Sequence, residues 1–180
     1  MKKLAAQDRS ALIKLASGLK PGSPERVAIL AGLTKQSNDE VNIPGKHILD
    51  KAEVRGNAKV GGNAKVSGDA KVSGDAWVLG KAHVSGKAEV YDEAEVWGQA
   101  SVSVNAKVYG DAKVSGDAEV YGKAEVFGKA KVYGKAEVYG NAKVSGNADI
   151  SGKAIILGGD WDGSEGKITS GKWKAPGVPA

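Results

Sequence analysis

Residues 52–69 read AEVRGN-AKVGGN-AKVSGD, and their six-residue unit, Ala-x-Val-x-Gly-x, continues without insertion to Leu157. Alanine recurs at every sixth position from Ala52 to Ala154, which makes eighteen units. The valine position holds isoleucine in the last two units, and the glycine position departs from glycine at Asp92 and Val104. A fixed short period of this kind sets the architecture before any local propensity is considered.

Each unit joins a strand pattern to a turn pattern. In Ala-x-Val, a polar residue separates two small or β-branched ones, which is typical of a strand that buries Ala and Val on one side. Gly-x supplies a turn, because glycine accepts any backbone conformation and Asn and Asp tolerate the left-handed region. The sequence therefore predicts an all-β chain of very short strands, stacked coil on coil as a β-helix. Val104 occupies a position that is glycine in most units, and valine rarely adopts a left-handed conformation. The left-handed residue of each unit could therefore be the one directly after the glycine position.

The heptapeptide VSGDAKV at Val66–Val72 resembles the hexapeptide repeat of left-handed parallel β-helices, with an aliphatic residue at i and a small one at i+4. The resemblance covers residues 52–157, which are 106 of the 180 residues, although the glycine comes one position later than in many members. It implies a single-stranded parallel β-helix with three units per coil, hence 18 residues per coil and about six coils. It also implies a left hand, which the right-handed crossover rule would not predict.

The charges provide an internal test of the 18-residue coil. Residues 18 apart should lie in register on neighbouring coils, about 4.8 Å apart. Like charges directly opposite each other are destabilising, so a stacked column should alternate in sign. One column between Ala and Val does so strictly: Glu53, Lys71, Glu89, Lys107, Glu125 and Lys143. The columns that begin at Lys59 and Lys65 do not alternate.

Residues 1–34 follow a helical period and predict a small helical hairpin, and residues 35–51 read as a polar linker with a degenerate lead-in unit. Such a hairpin is too small to bury a core of its own. We expect it to dock on the first coil, on a neighbouring subunit or on another protein, and it resembles helical leaders of phage-encoded proteins. Its apolar faces carry Leu12, Leu15, Leu19, Val27, Leu30 and Leu33.

After Leu157 the period breaks, and residues 158–180 are interpreted as a C-terminal cap and tail. The segments 167–169 and 172–174, joined by Ser170-Gly171, predict a small hairpin. Trp161 and Trp173 are expected to close the open end of the last coil.

Composition excludes several classes of function. The chain has no apolar run long enough for a membrane span, no signal-peptide core near Met1 and no cysteine, so we expect a cytoplasmic or virion location. The net charge is +5, but residues 52–157 hold 14 Lys/Arg and 13 Asp/Glu. The basic excess lies in the leader, and this argues against binding of nucleic acid, which needs a clustered basic patch.

Enzyme chemistry has little support in the residues. Hexapeptide-repeat acyltransferases, which the chain resembles in fold, use a catalytic histidine and a loop that interrupts the repeats. His83 lies within the repeats and is expected to point outward between Lys65 and Ser101, and His47 precedes them. A zinc site with three histidines cannot be built from these two. We therefore expect no metal and no cofactor, and keep His83 as the catalytic candidate of an alternative acyltransferase function.

Aromatic residues cluster directly after the repeat valine, a position that is otherwise mostly serine. Tyr91, Tyr109 and Phe127 are 18 apart and should stack, as should Tyr121 and Tyr139. Such ladders stabilise a sheet by about 0.2–1 kcal/mol per pair, but exposed aromatic rings are also enriched at interfaces. The interface interpretation is favoured for all seven: Tyr91, Trp97, Tyr109, Tyr121, Phe127, Tyr133 and Tyr139.

The sequence therefore favours a non-enzymatic structural or assembly protein, a β-helical rod about 29 Å long over its six coils. A virion fibre, spike or decoration component is the concrete form of this hypothesis. The resemblance implies a homotrimer, and the leader is expected to bind another protein. The alternatives are the acyltransferase and a self-polymerising filament protein.

Overall fold

The computed structural model describes residues 48–175 and 178–179, so the predicted leader and most of the linker lie outside the described residues. Within that part, two-residue strands recur at the period of the repeat, and each of the first eighteen pairs in parallel with the strand three places later. Three sheets result, and the chain forms a parallel β-solenoid of about seven turns. The prediction of three units per coil is confirmed by this topology.

The three sheets take their strands in rotation. The first sheet contains β1 (Glu53–Val54), β4 (Lys71–Val72), β7 (Glu89–Val90), β10 (Lys107–Val108), β13 (Glu125–Val126), β16 (Lys143–Val144) and β19 (Asp160–Trp161). The second contains β2 (Lys59–Val60), β5 (Trp77–Val78), β8 (Glu95–Val96), β11 (Lys113–Val114), β14 (Lys131–Val132), β17 (Asp149–Ile150) and β20 (Lys167–Ile168). The third contains β3 (Lys65–Val66), β6 (His83–Val84), β9 (Ser101–Val102), β12 (Glu119–Val120), β15 (Glu137–Val138), β18 (Ile155–Ile156), β21 (Lys172–Ala175) and β22 (Val178–Pro179).

Hydrogen bonds join each turn to the turn after it. In the unit that begins at Ala58, the amides of Lys59, Gly61 and Asn63 donate to carbonyls of the next turn at 2.8, 3.0 and 2.6 Å. Their acceptors lie 17 residues further on, which leaves facing Cα atoms 18 residues apart. The register predicted from the charges is therefore confirmed, and Asp160 extends the alternating column by one position.

The interior of the solenoid is made of alanine and valine. From Ala64 to Val144, every Ala and Val of the two repeat columns is fully buried. The residue between them points outward, as the alternation predicts. Because each turn buries only six small side chains against its neighbours, stability depends on the number of stacked turns rather than on a wide core.

The glycine column carries the corner. From Gly56 to Gly152 its glycines have φ between +55° and +77°, and Asp92 and Val104 adopt φ of +60° and +66° in the same column. The alternative that placed the left-handed residue one position later is therefore wrong. A side chain at these corners is also close to the next turn: a Cβ on Gly98 would lie 2.9 Å from the amide nitrogen of Gly116. With its φ of +66°, Val104 has a left-handed backbone conformation that β-branched residues rarely adopt.

The stacking continues past Leu157, although the period does not. The last strands of the solenoid, β19, β20 and β21, pair in parallel with β16, β17 and β18. The predicted hairpin between 167–169 and 172–174 is therefore wrong, because β20 and β21 belong to different sheets. Successive strands from β18 to β21 begin five, seven and five residues apart (155, 160, 167, 172), so the corners absorb the broken period. β22 then pairs antiparallel with β21.

Candidate functional site

The seven aromatic residues that follow the repeat valines form a belt around the middle of the solenoid. Counting 18-residue turns from Ala52, all seven lie in the third, fourth and fifth turns, residues 88–141. The corner that follows each strand of the first sheet is called the first corner, and the second and third corners are named in the same way. Tyr91, Tyr109 and Phe127 lie at the first corner, Trp97 and Tyr133 at the second, and Tyr121 and Tyr139 at the third.

At the first corner, three rings form a continuous stack. The ring centroids of Tyr91 and Tyr109 are 4.9 Å apart, as are those of Tyr109 and Phe127, and both pairs are within 3° of parallel. All three side chains are half-buried. The predicted stacking is confirmed, and each side chain remains partly exposed among the described residues.

The third corner repeats this arrangement. The rings of Tyr121 and Tyr139 are 4.7 Å apart and 9° from parallel, and both are half-buried. Sequence spacing predicted this pair as well. The two stacks overlap in the fourth and fifth turns.

A glutamate of the following turn supports one tyrosine in each stack. The Tyr109 hydroxyl donates to Glu125 Oε2 at 3.3 Å, and the Tyr121 hydroxyl donates to Glu137 Oε2 at 3.4 Å. Burial, followed by the negative charge of Glu125, raises the pKa of Tyr109 to about 12. Burial and then Glu137 raise the pKa of Tyr121 to about 12. These glutamates were not predicted as site residues, but the shared spacing of 16 residues could have identified them.

The second corner carries aromatic rings without a stack. Ser115 separates Trp97 from Tyr133 in the column and is itself buried, whereas Trp97 is 47% exposed. Tyr133 is tied to the last turn, because Lys167 Nζ donates to its hydroxyl at 2.6 Å. This hydrogen bond, followed by the charge of Asp149, raises the pKa of Lys167.

A further tryptophan, which the sequence did not single out, lies on the face of the second sheet. Trp77 is 43% exposed, and Lys59 Nζ lies 4.5 Å from the centre of its ring. On the same sheet, an open depression of about 490 Å³ is lined by lysines, aspartates and an asparagine: Asp111, Lys113, Lys129, Lys131, Asn147 and Asp149. Lys113 is paired with Glu95 at 2.9 Å, so the depression has mixed charge rather than the character of an anion site.

His83 lies on β6 and is exposed, between Lys65 and Ser101 in register, where the alternation predicted it. In the described part of the chain, no hydrogen bond or ion pair joins His83 to an acidic side chain that would orient the imidazole for catalysis. Among residues 48–175 and 178–179, no group of three or more His, Cys, Asp or Glu side chains is placed to hold a metal ion.

The two expected cap residues lie together in the last turn. Trp161 is fully buried, in register with Val144, and Trp173 packs edge-on against it with ring centroids 6.2 Å apart. Their indole nitrogens donate to the carbonyls of Gly158 and Ser170 at 2.8 and 2.9 Å. The leader residues Leu12, Leu15, Leu19, Val27, Leu30 and Leu33 lie outside the described residues.

Comparison of the chain with protein-family models, with curated proteins and with solved structures gives no match in any of the three. In the described part, no helix has the length and apolar character needed to cross a membrane.

Proposed function

We propose that this chain is a non-enzymatic structural or assembly protein, a β-helical scaffold that associates with copies of itself through its aromatic belt. The observation that carries the proposal is the position of the stacked rings. Stacking within a column stabilises the fold, but it leaves these rings half-exposed at two corners. Aromatic side chains of this kind dominate the energy of protein interfaces.

Serine borders the first-corner stack on both sides in its own column, and this supports the proposal. Ser73 and Ser145 occupy the first corner immediately before and after the Tyr91–Phe127 stack. The turns therefore fold with either residue, so a requirement of the fold does not account for a belt confined to three turns.

The test is to change Tyr91, Tyr109 and Phe127 to serine together and to compare the assembly states by sedimentation velocity. We expect the variant to keep its β-sheet circular dichroism, to melt at a modestly lower temperature and to shift from oligomer to monomer. The matched control changes Ser73 and Ser145 to tyrosine at the same corner and should stay oligomeric. A triple-serine variant that sediments as the wild type does would restrict the first stack to stabilising the fold.

The finer features extend the same proposal. The left hand of the coils and the trimeric state rest on the resemblance of the repeat to left-handed β-helices. The N-terminal hairpin acts as a docking leader for another protein, and the assembly serves as a virion fibre, spike or decoration component. Deletion of residues 1–40 should then leave the solenoid folded and remove a docking or assembly contact.

A self-polymerising filament protein is the second candidate, because a stack of parallel strands has an unpaired strand edge at each end. Neighbouring turns exchange hydrogen bonds in both directions, as parallel strands do, so the unpaired strand edges at the two ends of the stack match in the same pattern. Against end-to-end growth, β22 covers the edge of β21 in the third sheet. Electron microscopy of the wild-type protein at increasing concentration separates the two, since a filament lengthens and a closed oligomer does not.

A further inference from the structure

We infer that the second corner holds a binding slot for one aromatic ring, between Trp97 and Tyr133, and that its ligand is a phenyl ring with an oxygen acceptor in the para position. The slot is the gap that Ser115 leaves in the column of the second corner. The inference goes beyond the proposed self-association, whose evidence lies in the stacks at the first and third corners.

The gap has the height of one missing ring. Trp97, Ser115 and Tyr133 directly follow the paired strands β8, β11 and β14, so they stand in register on three successive turns. Neighbouring turns are about 4.8 Å apart, which separates the two aromatic residues by roughly 10 Å along the column. A ring inserted at the level of Ser115 would therefore lie at an ordinary stacking distance from both.

The first corner shows the same arrangement with the central ring in place. Tyr109 lies between Tyr91 and Phe127, and its ring centroid is 4.9 Å from each of theirs. The amides of the first two residues of each column donate to the next turn at 2.9–3.0 Å at both corners. The corners therefore share their spacing and differ in the central side chain, which is tyrosine in one and serine in the other.

The floor of the slot is shielded by the two aromatic residues. Ser115 is 8% exposed, whereas Ser73 and Ser145, which each border a single ring at the first corner, are half-buried. Because Ser115 has an aromatic residue on both sides, its burial is what a narrow gap between two rings would produce.

One wall of the slot is fixed and the other is exposed. Lys167 Nζ donates to the Tyr133 hydroxyl at 2.6 Å and lies 5.2 Å from the centre of that ring. Lys167 belongs to β20, which lies further along the sheet than β14, so this contact leaves the side of Tyr133 that faces Ser115. Trp97 is 47% exposed, and none of the ring contacts formed within residues 48–175 includes it.

The para position of the ligand is set by comparison with the tyrosine stacks. The Tyr109 hydroxyl donates to Glu125, 16 residues later, and the stack at the third corner repeats this spacing. The residue 16 positions after Ser115 is Lys131, which is exposed and takes part in none of the ion pairs formed within residues 48–175. An ammonium group donates and cannot accept, so the ligand should carry a phenolic or carboxylate oxygen there.

The acidic side chains nearest to the slot lie against other groups. They therefore compete little with an anionic ligand for Lys131. These contacts are Glu95 with Lys113 at 2.9 Å, Asp117 with Gln99 at 2.9 Å, and Asp149 with Lys167 at 3.9 Å.

Nuclear magnetic resonance of the tryptophan indole N–H groups tests the slot, with p-cresol, the side chain of tyrosine as a free molecule, as the probe. We expect a saturable upfield shift of the Trp97 signal, because the bound ring would lie over the indole. The signals of Trp77, Trp161 and Trp173 should stay in place, and Trp97→Phe assigns the signal that moves. A Trp97 signal that does not respond, or four signals that shift together without saturation, would overturn the inference.

Filling the gap provides a second test with a matched control. Ser115→Tyr completes the column and should abolish the saturable shift while raising the melting temperature, because the added ring stacks on both neighbours. Ser73→Tyr, which lengthens the first-corner stack by one ring, should also raise the melting temperature but leave binding of p-cresol unchanged. Undiminished binding in Ser115→Tyr would show that the ligand lies elsewhere and would contradict the inference.

Exchange of the charge at Lys131 tests the para group. The wild type should bind p-toluate about tenfold more tightly than toluene, because a hydrogen bond between two charged groups is added. Lys131→Glu places at the slot the same group that accepts the Tyr109 hydroxyl at the first corner. This variant should lose p-toluate but retain p-cresol, whose hydroxyl can donate to the carboxylate, and its affinity for toluene should not change. Equal affinities of the wild type for p-toluate and toluene would refute the assigned role of Lys131 and with it the class of ligand.

Discussion

The six repeat turns and the closing turn, residues 158–174, pair in the same parallel manner but reach that pairing by different means. In the repeat turns, identical six-residue units bring small side chains into register. In the closing turn, strand spacings of five, seven and five residues preserve the register, and two tryptophans replace the valines of the interior. The difference shows that register is a property of the strands, while the corners tolerate changes in length.

The closing turn also satisfies its own backbone groups. The amide of Ser164 donates to Asp162 Oδ1 at 2.9 Å, and the amide of Gly163 donates to Glu165 Oε2 at 3.2 Å. The backbone bond to Ser164 lowers the pKa of Asp162. In the repeat turns, the next turn accepts such amides. At the end of the stack no further turn accepts these amides, so the carboxylates of Asp162 and Glu165 accept them instead. This matters because a strand edge with unpaired amides promotes pairing with other chains.

The largest effect should come from the interior of the closing turn. Trp161→Ala removes a fully buried side chain and should lower the free energy of unfolding by about 3–5 kcal/mol. Val126→Ala, in the same interior column but within the repeats, should lower it by roughly 2 kcal/mol, because fewer atoms are removed. Urea denaturation followed by circular dichroism measures both. Equal effects would show that the tryptophan has no special role in closing the stack.

An intermediate effect should come from the strained corner inside the repeats. Val104→Gly removes the strain of a left-handed residue that carries a side chain, which should stabilise the folded state by about 1–2 kcal/mol. The greater backbone entropy of glycine in the unfolded state offsets about 0.5–1 kcal/mol of this gain. We therefore expect a stabilisation of roughly 0.5–1 kcal/mol in the same denaturation assay. The reciprocal control, Gly122→Val, should destabilise the protein, because its Cβ would lie 3.0 Å from the amide nitrogen of Gly140. A destabilised Val104→Gly variant would mean that the exposed valine makes a contact of its own.

The last effect is absent near neutral pH and is confined to the belt. Because the folded pKa of Tyr109 and of Tyr121 is raised from 10.0 to about 12, the folded state holds more protons than the unfolded state between these values. Stability should therefore be complete below pH 10 and decline as the pH rises from 10 to about 12. Absorbance of tyrosinate follows the titration, and Glu125→Gln should lower the pKa of Tyr109 without restoring its ordinary value, since burial is the larger cause. An unchanged titration in that variant would contradict the assigned role of Glu125.

The sequence predicted the repeat turns well because their physics is local and repeated. The alternating column from Glu53 to Lys143 reveals the 18-residue coil without reference to any structure, and the same spacing predicts the aromatic stacks. The closing turn could not be predicted in this way, since its pairing depends on corners of unequal length. A two-residue strand such as Lys167–Ile168 carries no local sign of which sheet it joins.

Two further features escaped prediction because they depend on three-dimensional proximity. Val104 suggested that the glycine column was free of backbone constraint, but neighbouring turns on both sides hold that corner left-handed. The glutamates beside Tyr109 and Tyr121 act one turn away from their tyrosines, so residue type alone did not identify them.

The measurement that tests the central claim most directly is the mass of the wild-type protein in solution by sedimentation equilibrium. If the aromatic belt joins copies of the chain in a closed ring, the mass should be three times 18.4 kDa at concentrations well above dissociation, and it should not increase further. A mass of 18.4 kDa at every concentration would contradict the account and restrict the belt to stabilising its own solenoid.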